Sequence, residues 1–284
     1  MLMKTIKELR LFAAQIRKAE LTCMNSFHGG HIGGSMSMTD CLACLYGGVM
    51  KHDPKNPKWD ERDWLVVSKG HCGPAVYAAL ALSGYFPEEE LTTLNKEGTR
   101  LPSHCDRLRT PGIDMTAGSL GQGVSAAAGI AWGFQYQKKP NTVFTILGDG
   151  ECDEGEVWEA ALFAGAKKLS NLIGFVDANK KQLDGFTSEI CDLGDIRQKF
   201  EDFGWFAQEV DGHDIPAILA AIEKAKAEPE KPSMIVLNTV KGQDCCFAES
   251  DHVYYNHFIR FSQEDYEAGM KGFDEIIAKI ESEG

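Results

Sequence analysis

Two short apolar segments, each ending at a polar turn, constrain the fold of this chain more than any other feature. Val143–Leu147 is an apolar run that stops at Gly148-Asp149-Gly150, and Leu172–Val176 is a second run that stops at Asp177-Ala178-Asn179. Between them, residues 155–169 carry apolar side chains at helical spacing. A strand, a helix and a second parallel strand form a right-handed unit, so both strands end on the same edge of the sheet.

Asp149 and Asn179 are therefore predicted to lie side by side at the carboxyl edge of a parallel sheet, where open α/β sheets bind their ligands. Carboxylate, amide and main-chain carbonyl oxygens suit Mg²⁺, with Ca²⁺ and Mn²⁺ as alternatives, rather than zinc. Mg²⁺ with few protein ligands usually completes its shell with phosphate oxygens. The pattern predicts an anchor for a metal and a diphosphate. The alternative is an ordinary turn in which Asp149 caps a helix, and the paired spacing favours the anchor.

The rest of the chain continues the alternation of strands and helices. Strands are predicted near residues 64–67, 142–147, 172–177, 205–210 and 233–238, with helices between them. This order indicates an α/β fold with a doubly wound parallel sheet and helices on both faces. The sequence contains no repeat or linker, so residues 1–284 are expected to form a single domain.

The overall charge argues against two classes of partner. With a net charge of −13 and a pI near 5.1, the chain is unsuited to bind nucleic acid or an anionic membrane. No apolar run approaches the ~20 residues of a membrane span. The nine cysteines show no disulfide framework, which indicates a reducing cytoplasm. Cys41 and Cys44 lack the second pair that a zinc site needs, so they are expected to be buried on a helix.

Two glycine-rich segments precede predicted helices. The first helix, near residues 5–27, leads into residues 28–34, whose four glycines predict an irregular loop. Ser35 or Ser37 is then expected to cap a helix that continues to Met50. Residues 117–123 form the second segment, and a helix is expected to begin directly behind it, an arrangement that favours anion binding.

Three histidines, His31, His71 and His104, fall on loops at or near the predicted ligand edge. A single histidine in such a place is usually structural, but three beside a diphosphate anchor favour a role in catalysis. Imidazoles with pKa values near neutrality can orient the oxygen atoms of a substrate and accept a hydroxyl proton.

Several local motifs resemble those of the transketolase family, and the resemblance covers nearly the whole chain. Gly148-Asp149-Gly150 followed by Asn179 resembles the family's thiamine diphosphate-binding motif. Residues 30–33, 68–71, 103–106 and 118–123 resemble, in that order, the family's Gly-His-Pro-Gly, Ser-x-Gly-His, Gly-His-Pro-Asp/Glu and cofactor-facing glycine loops. The resemblance implies a diphosphate-binding domain of an enzyme that transfers a two-carbon ketol unit from a ketose donor to an aldehyde.

The resemblance also implies roles for individual residues. Asp149, Asn179 and the main-chain carbonyl of Lys181 would bind the metal. The residues expected at the cofactor are His71, Gly118, Ser119, Leu120, Asp149, Gly150, Glu151, Glu154 and Asn179. Of these, Glu154 matches an acidic residue through which paired active sites communicate. The expected catalytic histidines are His31, His71, His104 and His257, with His252 as the alternative to the last.

Full-length transketolases are more than twice as long as this chain, and the difference predicts a partner. Their second domain supplies the glutamate that activates the cofactor, together with most groups that bind a sugar phosphate. This chain is similar to the first half, so it is expected to be inactive alone. The expected partner is a C-terminal subunit of about 300 residues, in an α2β2 heterotetramer.

The chain departs from the family where substrate is expected to bind. Residues 241–246 replace the family's Lys-Gly-x-Gly-x-Ser and include Cys245 and Cys246. Residues 255–258 replace its Trp-His-Gly segment, and Cys105 replaces the proline after His104. The metal and cofactor residues are intact, so these differences predict retained thiamine chemistry with an altered ketol pocket.

Pentose and hexose phosphates are the default donors. The alternative is an unusual ketol, such as a branched-sugar phosphate, a sulfosugar or a steroid side chain. The decarboxylating component of 2-oxo acid dehydrogenases shares the two-part motif but lacks the Ser-x-Gly-His loop and the second glycine loop. A non-enzymatic thiamine-binding subunit is a further alternative, and it would not need the histidines.

Overall fold

A five-stranded parallel sheet organises the computed structural model, which describes residues 3–183, 185–249 and 254–283. The strands are β1 (Gly29–Gly30), β2 (Trp64–Val67), β3 (Val143–Gly148), β4 (Leu172–Ala178), β5 (Lys181–Gln182), β6 (Gly185–Phe186), β7 (Phe206–Asp211), β8 (Ser233–Asn238) and β9 (Ile259–Arg260). The central sheet has the order β2-β3-β4-β8-β7, and its neighbouring strands are all parallel. The predicted parallel sheet is confirmed.

Helices cover both faces of this sheet. They are α1 (Ile6–Asn25), α2 (Ile32–Ser37), α3 (Thr39–Cys44), α4 (Gly73–Leu82), α5 (Gln122–Tyr136), α6 (Gly155–Ala166), α7 (Thr187–Ile190), α8 (Ile196–Asp202), α9 (Ile215–Ala227) and α10 (Gln263–Ser282). Phe144 and Ile146 of β3 pack into one apolar layer with α1, α3, α4 and α9. Val143 and Leu147 point to the other layer, with α5 and α6. Because both faces are buried, the inner strands β3, β4 and β8 are nearly continuous apolar runs, and the predicted doubly wound fold is confirmed.

The register of the sheet places the two polar turns together. Residues of β3 and β4 pair in parallel from Val143 with Leu172 to Gly148 with Asp177. Asp149 follows directly on β3, and Asn179 follows directly on β4. The predicted edge is therefore present, with both polar turns on it.

The first glycine-rich segment is more regular than predicted. Gly29–Gly30 forms β1 and pairs with β9, and α2 already begins at Ile32. A Cβ atom on Gly29 would lie 2.8 Å from the Ile259 carbonyl oxygen, so glycine allows this close pairing of distant segments. The prediction of an irregular loop is wrong because the strand partner lies far away in the sequence.

The predicted helix cap at Ser35 or Ser37 is also wrong. Both serines lie inside α2, where the Ser35 hydroxyl donates to the His31 carbonyl at 2.8 Å and Ser37 donates to the Asp177 carboxylate at 2.6 Å. The predicted single helix to Met50 is divided into α2, α3 and a π-helical turn, Leu45–Val49. Gly48, with φ of 140°, ends the regular helix because a left-handed backbone cannot continue it.

Two further sequence expectations concern thiols and membranes. All nine cysteines lie in the described part of the chain as free thiols, and Cys41 and Cys44 are buried as expected. Among the described residues, no helix combines the length and the apolar character that crossing a membrane requires.

Candidate active site

A cavity of about 260 Å³ opens at the carboxyl edge of the sheet, where β3 and β4 end. It is lined by His31, Gly34, Lys69, His71, His104, Gly118, Leu120, Gly148, Asp149, Gly150, Glu151, Asn179, Lys181, Gln182, Leu183, Lys241 and His257. A larger cavity of about 670 Å³ lies beside Trp64, at the opposite end of β2, and contains none of the motif residues. The motif residues therefore share the smaller cavity.

Four histidines meet in this cavity. The His31 ring lies at the centre, 5.1 Å from the His71 ring, 5.6 Å from the His104 ring and 5.2 Å from the His257 ring, measured between ring centroids. The His71 and His257 rings are 4.8 Å apart. His257 thus joins the cluster that the three upstream histidines form. The alternative, His252, lies outside the described residues.

Burial keeps these imidazoles neutral. Burial, followed by the nearby His104 and Lys241, lowers the pKa of His31 from its ordinary value of 6.5 to about 4. Burial and Lys241 lower the pKa of His257 to about 3, and burial with His257 also lowers the pKa of His71. At neutral pH the cavity therefore offers unprotonated ring nitrogens, which can accept a proton or a hydrogen bond.

We expect His31 and His257 to remain neutral well below pH 6. Their folded-state pKa values lie below 6.5, so the unfolded chain binds protons that the fold does not. Their contribution to the free energy of unfolding is therefore complete above pH 6.5. It decreases as the pH falls towards 4 for His31 and towards 3 for His257. Imidazole NMR signals followed from pH 8 to pH 5 should stay at neutral positions. Titration of either ring with a midpoint near 6.5 would contradict the assignment, and His31→Gln and His257→Gln identify the signals.

Hydrogen bonds from backbone N–H groups to side-chain oxygens connect the polar turn after β3 with the loop after β4. The Asp149 carboxylate accepts hydrogen bonds from the backbone N–H of Gly150 at 2.8 Å and of Lys180 at 2.6 Å. The side-chain oxygen of Asn179 accepts from the backbone N–H of Lys181 at 3.2 Å. These contacts bring the three predicted metal-binding residues together on one rim of the cavity.

The charges around this rim fit a bound cation. Burial, with the nearby Asp177, raises the pKa of Asp149 to about 7. The ionised carboxylate is therefore poorly stabilised by the protein alone, and a bound cation would stabilise it. The Lys241 ammonium donates to the carbonyl oxygen of Lys181 at 3.1 Å, so a cationic group already lies against one predicted metal ligand. Carboxylate, amide and carbonyl oxygens are the donors that Mg²⁺ prefers. The residues present therefore fit a metal-bound diphosphate.

Sequence reasoning missed a buried ion pair beneath the anchor. The Lys69 ammonium and the Asp177 carboxylate form a salt bridge in the interior. Asp177 also accepts hydrogen bonds from Ser37 at 2.6 Å, from Asn179 at 2.9 Å and from Thr239. Burial works against both charges, yet the partner carboxylate raises the pKa of Lys69 and the ammonium lowers that of Asp177. The available signal was a charged residue at the end of each apolar strand.

Three residues predicted at the cofactor differ in their surroundings from the rest. Glu151 lines the cavity, but its carboxylate accepts from Ser68, from the Gly121 N–H at 2.8 Å and from the Gly148 N–H at 3.0 Å. Glu151 therefore fastens the second glycine loop to the end of β3. Ser119 and Glu154 are exposed and do not line the cavity, and their roles stay predictions.

The cysteines that depart from the family pattern are not in the cavity. Cys105 and Cys245 are buried in the apolar layer that contains α1, and Cys246 is exposed. The expectation that these substitutions face the substrate is wrong for Cys105 and Cys245, because their small thiols pack in the core. Lys241, from the same altered stretch, does line the cavity.

Comparison with known proteins agrees with this geometry. Residues 9–257 match the sequence model of one protein family, the thiamine diphosphate-binding domain of transketolase. The chain belongs to the transketolase family. It is 51% identical to the 6-deoxy-6-sulfo-D-fructose transketolase subunit of Clostridium sp. (strain MSTE9), over 98% of each chain. It is 32% identical to an apulose-4-phosphate transketolase subunit of Phocaeicola vulgatus, again over 98% of each chain.

Solved transketolases share the fold over nearly all of this chain. The transketolase of Campylobacter jejuni superposes with a TM-score of 0.86 at 27% identity, and the match covers 98% of this chain. The same match covers 48% of the Campylobacter chain. This member of the transketolase family therefore corresponds to the diphosphate-binding part of its longer relatives and spans about half of their length.

Proposed function

We propose that the chain is the N-terminal subunit of a thiamine diphosphate- and Mg²⁺-dependent transketolase that moves a two-carbon ketol unit from a ketose to an aldehyde. The observation that carries the proposal is one cavity that combines the Asp149–Asn179 rim with four histidine rings. A diphosphate anchor alone would fit many thiamine enzymes. The histidines add the groups that bind and deprotonate a hydroxylated substrate.

Individual residues divide this work. Asp149, Asn179 and the carbonyl oxygen of Lys181 would hold Mg²⁺ on the rim, and Gly150, Gly118 and Leu120 would contact the cofactor. Lys241 lines the same cavity and would offset part of the negative charge of a diphosphate, whereas the charge of Lys69 is paired with Asp177. Glycine at position 118 has a structural reason, because a Cβ atom there would lie 3.3 Å from the His104 ring.

Thiamine diphosphate, when bound, would supply the electron sink for the electron pair that the donor's breaking carbon–carbon bond releases. The protein's part is to place the donor and to move protons. A donor hydroxyl on the carbon beside the breaking bond must lose its proton as the aldehyde product forms. The unprotonated nitrogens of His31, His71, His104 and His257 face the cavity and are suited to accept it and to orient the neighbouring oxygens.

We further propose that the chain forms one domain over residues 1–284 and works with a C-terminal subunit of about 300 residues in an α2β2 assembly. Two observations support an interface. Large apolar side chains are exposed at and near the cavity mouth, including Leu183 and Phe258. A second exposed set, Trp132 and Tyr136 of α5 with Leu162 and Phe163 of α6, lies on the outer surface. Free thiols throughout the chain support a reducing, cytoplasmic location.

The donor we favour is 6-deoxy-6-sulfo-D-fructose, because the relative that acts on it shares 51% of its sequence with this chain over nearly its full length. Ordinary pentose and hexose phosphates are the second candidate, and apulose 4-phosphate is the third, since the relative with that substrate is 32% identical. Phe258, in the segment 255–258 that replaces the family's Trp-His-Gly, has its ring 5.1 Å from the His31 ring, which supports a pocket that differs from that of sugar-phosphate transketolases.

The test is a donor comparison on the assembled enzyme. The tagged chain is purified from its source cells with the polypeptide that binds it, loaded with thiamine diphosphate and Mg²⁺, and supplied with an aldehyde acceptor. Mass spectrometry then measures product from the sulfosugar, from a ketopentose phosphate and from apulose 4-phosphate. We expect the sulfosugar to give a kcat/KM at least tenfold above the others. Equal or higher values for a sugar phosphate would reject the sulfosugar assignment, and absence of product from all three would reject ketol transfer.

A further inference from the structure

Asn256, which directly precedes the active-site His257, is almost completely buried, with 1% of its surface exposed. Its side-chain NH₂ donates to the carbonyl oxygens of Lys241 at 3.1 Å and Ala248 at 2.8 Å. Its own carbonyl oxygen accepts from the backbone N–H of Gly33 at 3.1 Å. Asn256 therefore contacts the main chain of two other segments, residues 241–248 and the segment around Gly33.

These two segments are also joined to each other. The backbone N–H of Gly242 donates to the Gly33 carbonyl at 2.9 Å, so Gly33, Gly242 and Asn256 form one hydrogen-bonded contact. The fit at this contact is tight, because a Cβ atom on Gly33 would lie 2.2 Å from the Asn256 carbonyl oxygen. Just beyond it, β9 pairs with β1 and continues the connection between the two chain segments.

Each of the three segments carries a side chain of the active-site cavity. His31 lies two residues before Gly33, Lys241 directly precedes Gly242, and His257 directly follows Asn256. All three side chains line the cavity, and the His31 and His257 rings are 5.2 Å apart. The contact around Asn256 therefore lies immediately behind the groups that face the substrate.

We propose that Asn256 is a positioning residue for ketol transfer, which holds His257 and Lys241 in register with His31 through its two side-chain hydrogen bonds. The inference rests on the proposed function for its activity readout, but not for its structural readout. The side-chain hydrogen bonds of Asn256 fix the backbone on which His257 sits.

The sharpest variant is Asn256→Asp, which keeps the size of the side chain but removes both N–H donors. A carboxylate oxygen would then face the carbonyl oxygens of Lys241 and Ala248, and the segment must move away from them. Gly33→Ala tests the same contact from the other side, because the added methyl group pushes on the Asn256 carbonyl and on the Lys241 side chain without changing the Asn256 side chain. Asn256→Ala leaves room for water at the two carbonyls and is expected to have a smaller effect than Asn256→Asp.

Asn141→Asp is a matched control. Asn141 is also 1% exposed, and its side-chain NH₂ donates to two main-chain carbonyls, those of Asp60 at 2.7 Å and Arg62 at 2.6 Å. It lies two residues before β3, at the edge of the sheet opposite the cavity. A loss of stability that comes only from removing a buried amide donor should therefore appear in both variants, whereas a loss of positioning should appear only in Asn256→Asp.

Two measurements decide the proposal. In the assembled enzyme with thiamine diphosphate and Mg²⁺, we expect Asn256→Asp and Gly33→Ala to lower kcat at least tenfold, while Asn141→Asp keeps kcat within twofold. In the chain alone, the imidazole NMR signals of His257 and His31 should shift in Asn256→Asp, and those of His52, which contacts Tyr46 and Tyr85 away from this contact, should not. Unchanged kcat and unchanged His257 signals in a folded Asn256→Asp variant would overturn the proposal.

If the unsubstituted enzyme transfers no ketol unit, the proposed function fails, and the NMR comparison still decides the role of Asn256. If Asn256→Asp does not fold, Gly33→Ala with unmoved His257 signals overturns it.

Discussion

Replacement of Asp149 by asparagine is expected to weaken Mg²⁺-dependent binding of thiamine diphosphate at least 100-fold, which corresponds to about 2.7 kcal/mol. The substitution keeps the shape of the side chain but removes the negative charge that faces the predicted cation. It also brings an NH₂ group towards the backbone N–H groups of Gly150 and Lys180, which now donate to the carboxylate. Isothermal titration of the assembled enzyme with cofactor, with and without Mg²⁺, measures the loss.

Asp214→Asn provides the matched control for this prediction. Asp214 caps α9 and accepts from the backbone N–H of Ala217 at 3.3 Å, but it is exposed and does not line the cavity. Its substitution should leave both cofactor affinity and stability nearly unchanged, because asparagine caps a helix about as well as aspartate does. An Asp149→Asn variant that binds the cofactor with unaltered affinity would remove Asp149 from the anchor.

The second large effect is expected in the interior, where Asp177→Ala should lower the free energy of unfolding by about 3–5 kcal/mol. The Lys69 ammonium would be left buried without its carboxylate partner. Ser37, Asn179 and Thr239 would each lose the acceptor of a side-chain hydrogen bond. Urea unfolding of the chain, followed by circular dichroism, gives the change in the free energy.

A double variant separates the unpaired charge from the lost packing. Lys69→Met together with Asp177→Ala removes both charges, so the pair should be less destabilised than Asp177→Ala alone. If the double variant is destabilised by the sum of the two single changes, Lys69 and Asp177 do not act as a pair. Because Asn179 donates to Asp177, we also expect Asp177→Ala to weaken metal binding.

The local sequence pattern was enough to predict the parallel sheet and to predict that the histidines lie together at one of its edges. The β3 and β4 runs are long, apolar and bounded by polar turns, so their pairing and shared edge follow from general rules for parallel sheets. His31, His71 and His104 were located by loops at or near the predicted ligand edge, and His257 by a segment that resembles a motif of a known family. The rings then meet because their loops all lie at one edge of the sheet.

Contacts between distant segments could not be predicted in this way. The β1–β9 pair joins residues at opposite ends of the chain, and each strand is only two residues long, too short to produce a pattern. The Lys69–Asp177 pair could not be predicted, because a sequence does not reveal whether a charged side chain is buried or which partner neutralises it. The role of Asn256 was not predicted either, because a sequence does not reveal which main-chain carbonyls a buried amide contacts.

The central claim is that this chain provides the metal anchor and histidines of a ketol-transfer site that a second subunit completes. The most direct measurement supplies a ketol donor labelled with ¹³C in its first two carbons to the chain alone, to its partner alone and to the two together, each with thiamine diphosphate, Mg²⁺ and an aldehyde. Mass spectrometry of the product should find both labelled carbons on the acceptor in the mixture and in neither separate sample. Equal transfer by the chain alone, or none by a cofactor-loaded mixture, would contradict the claim.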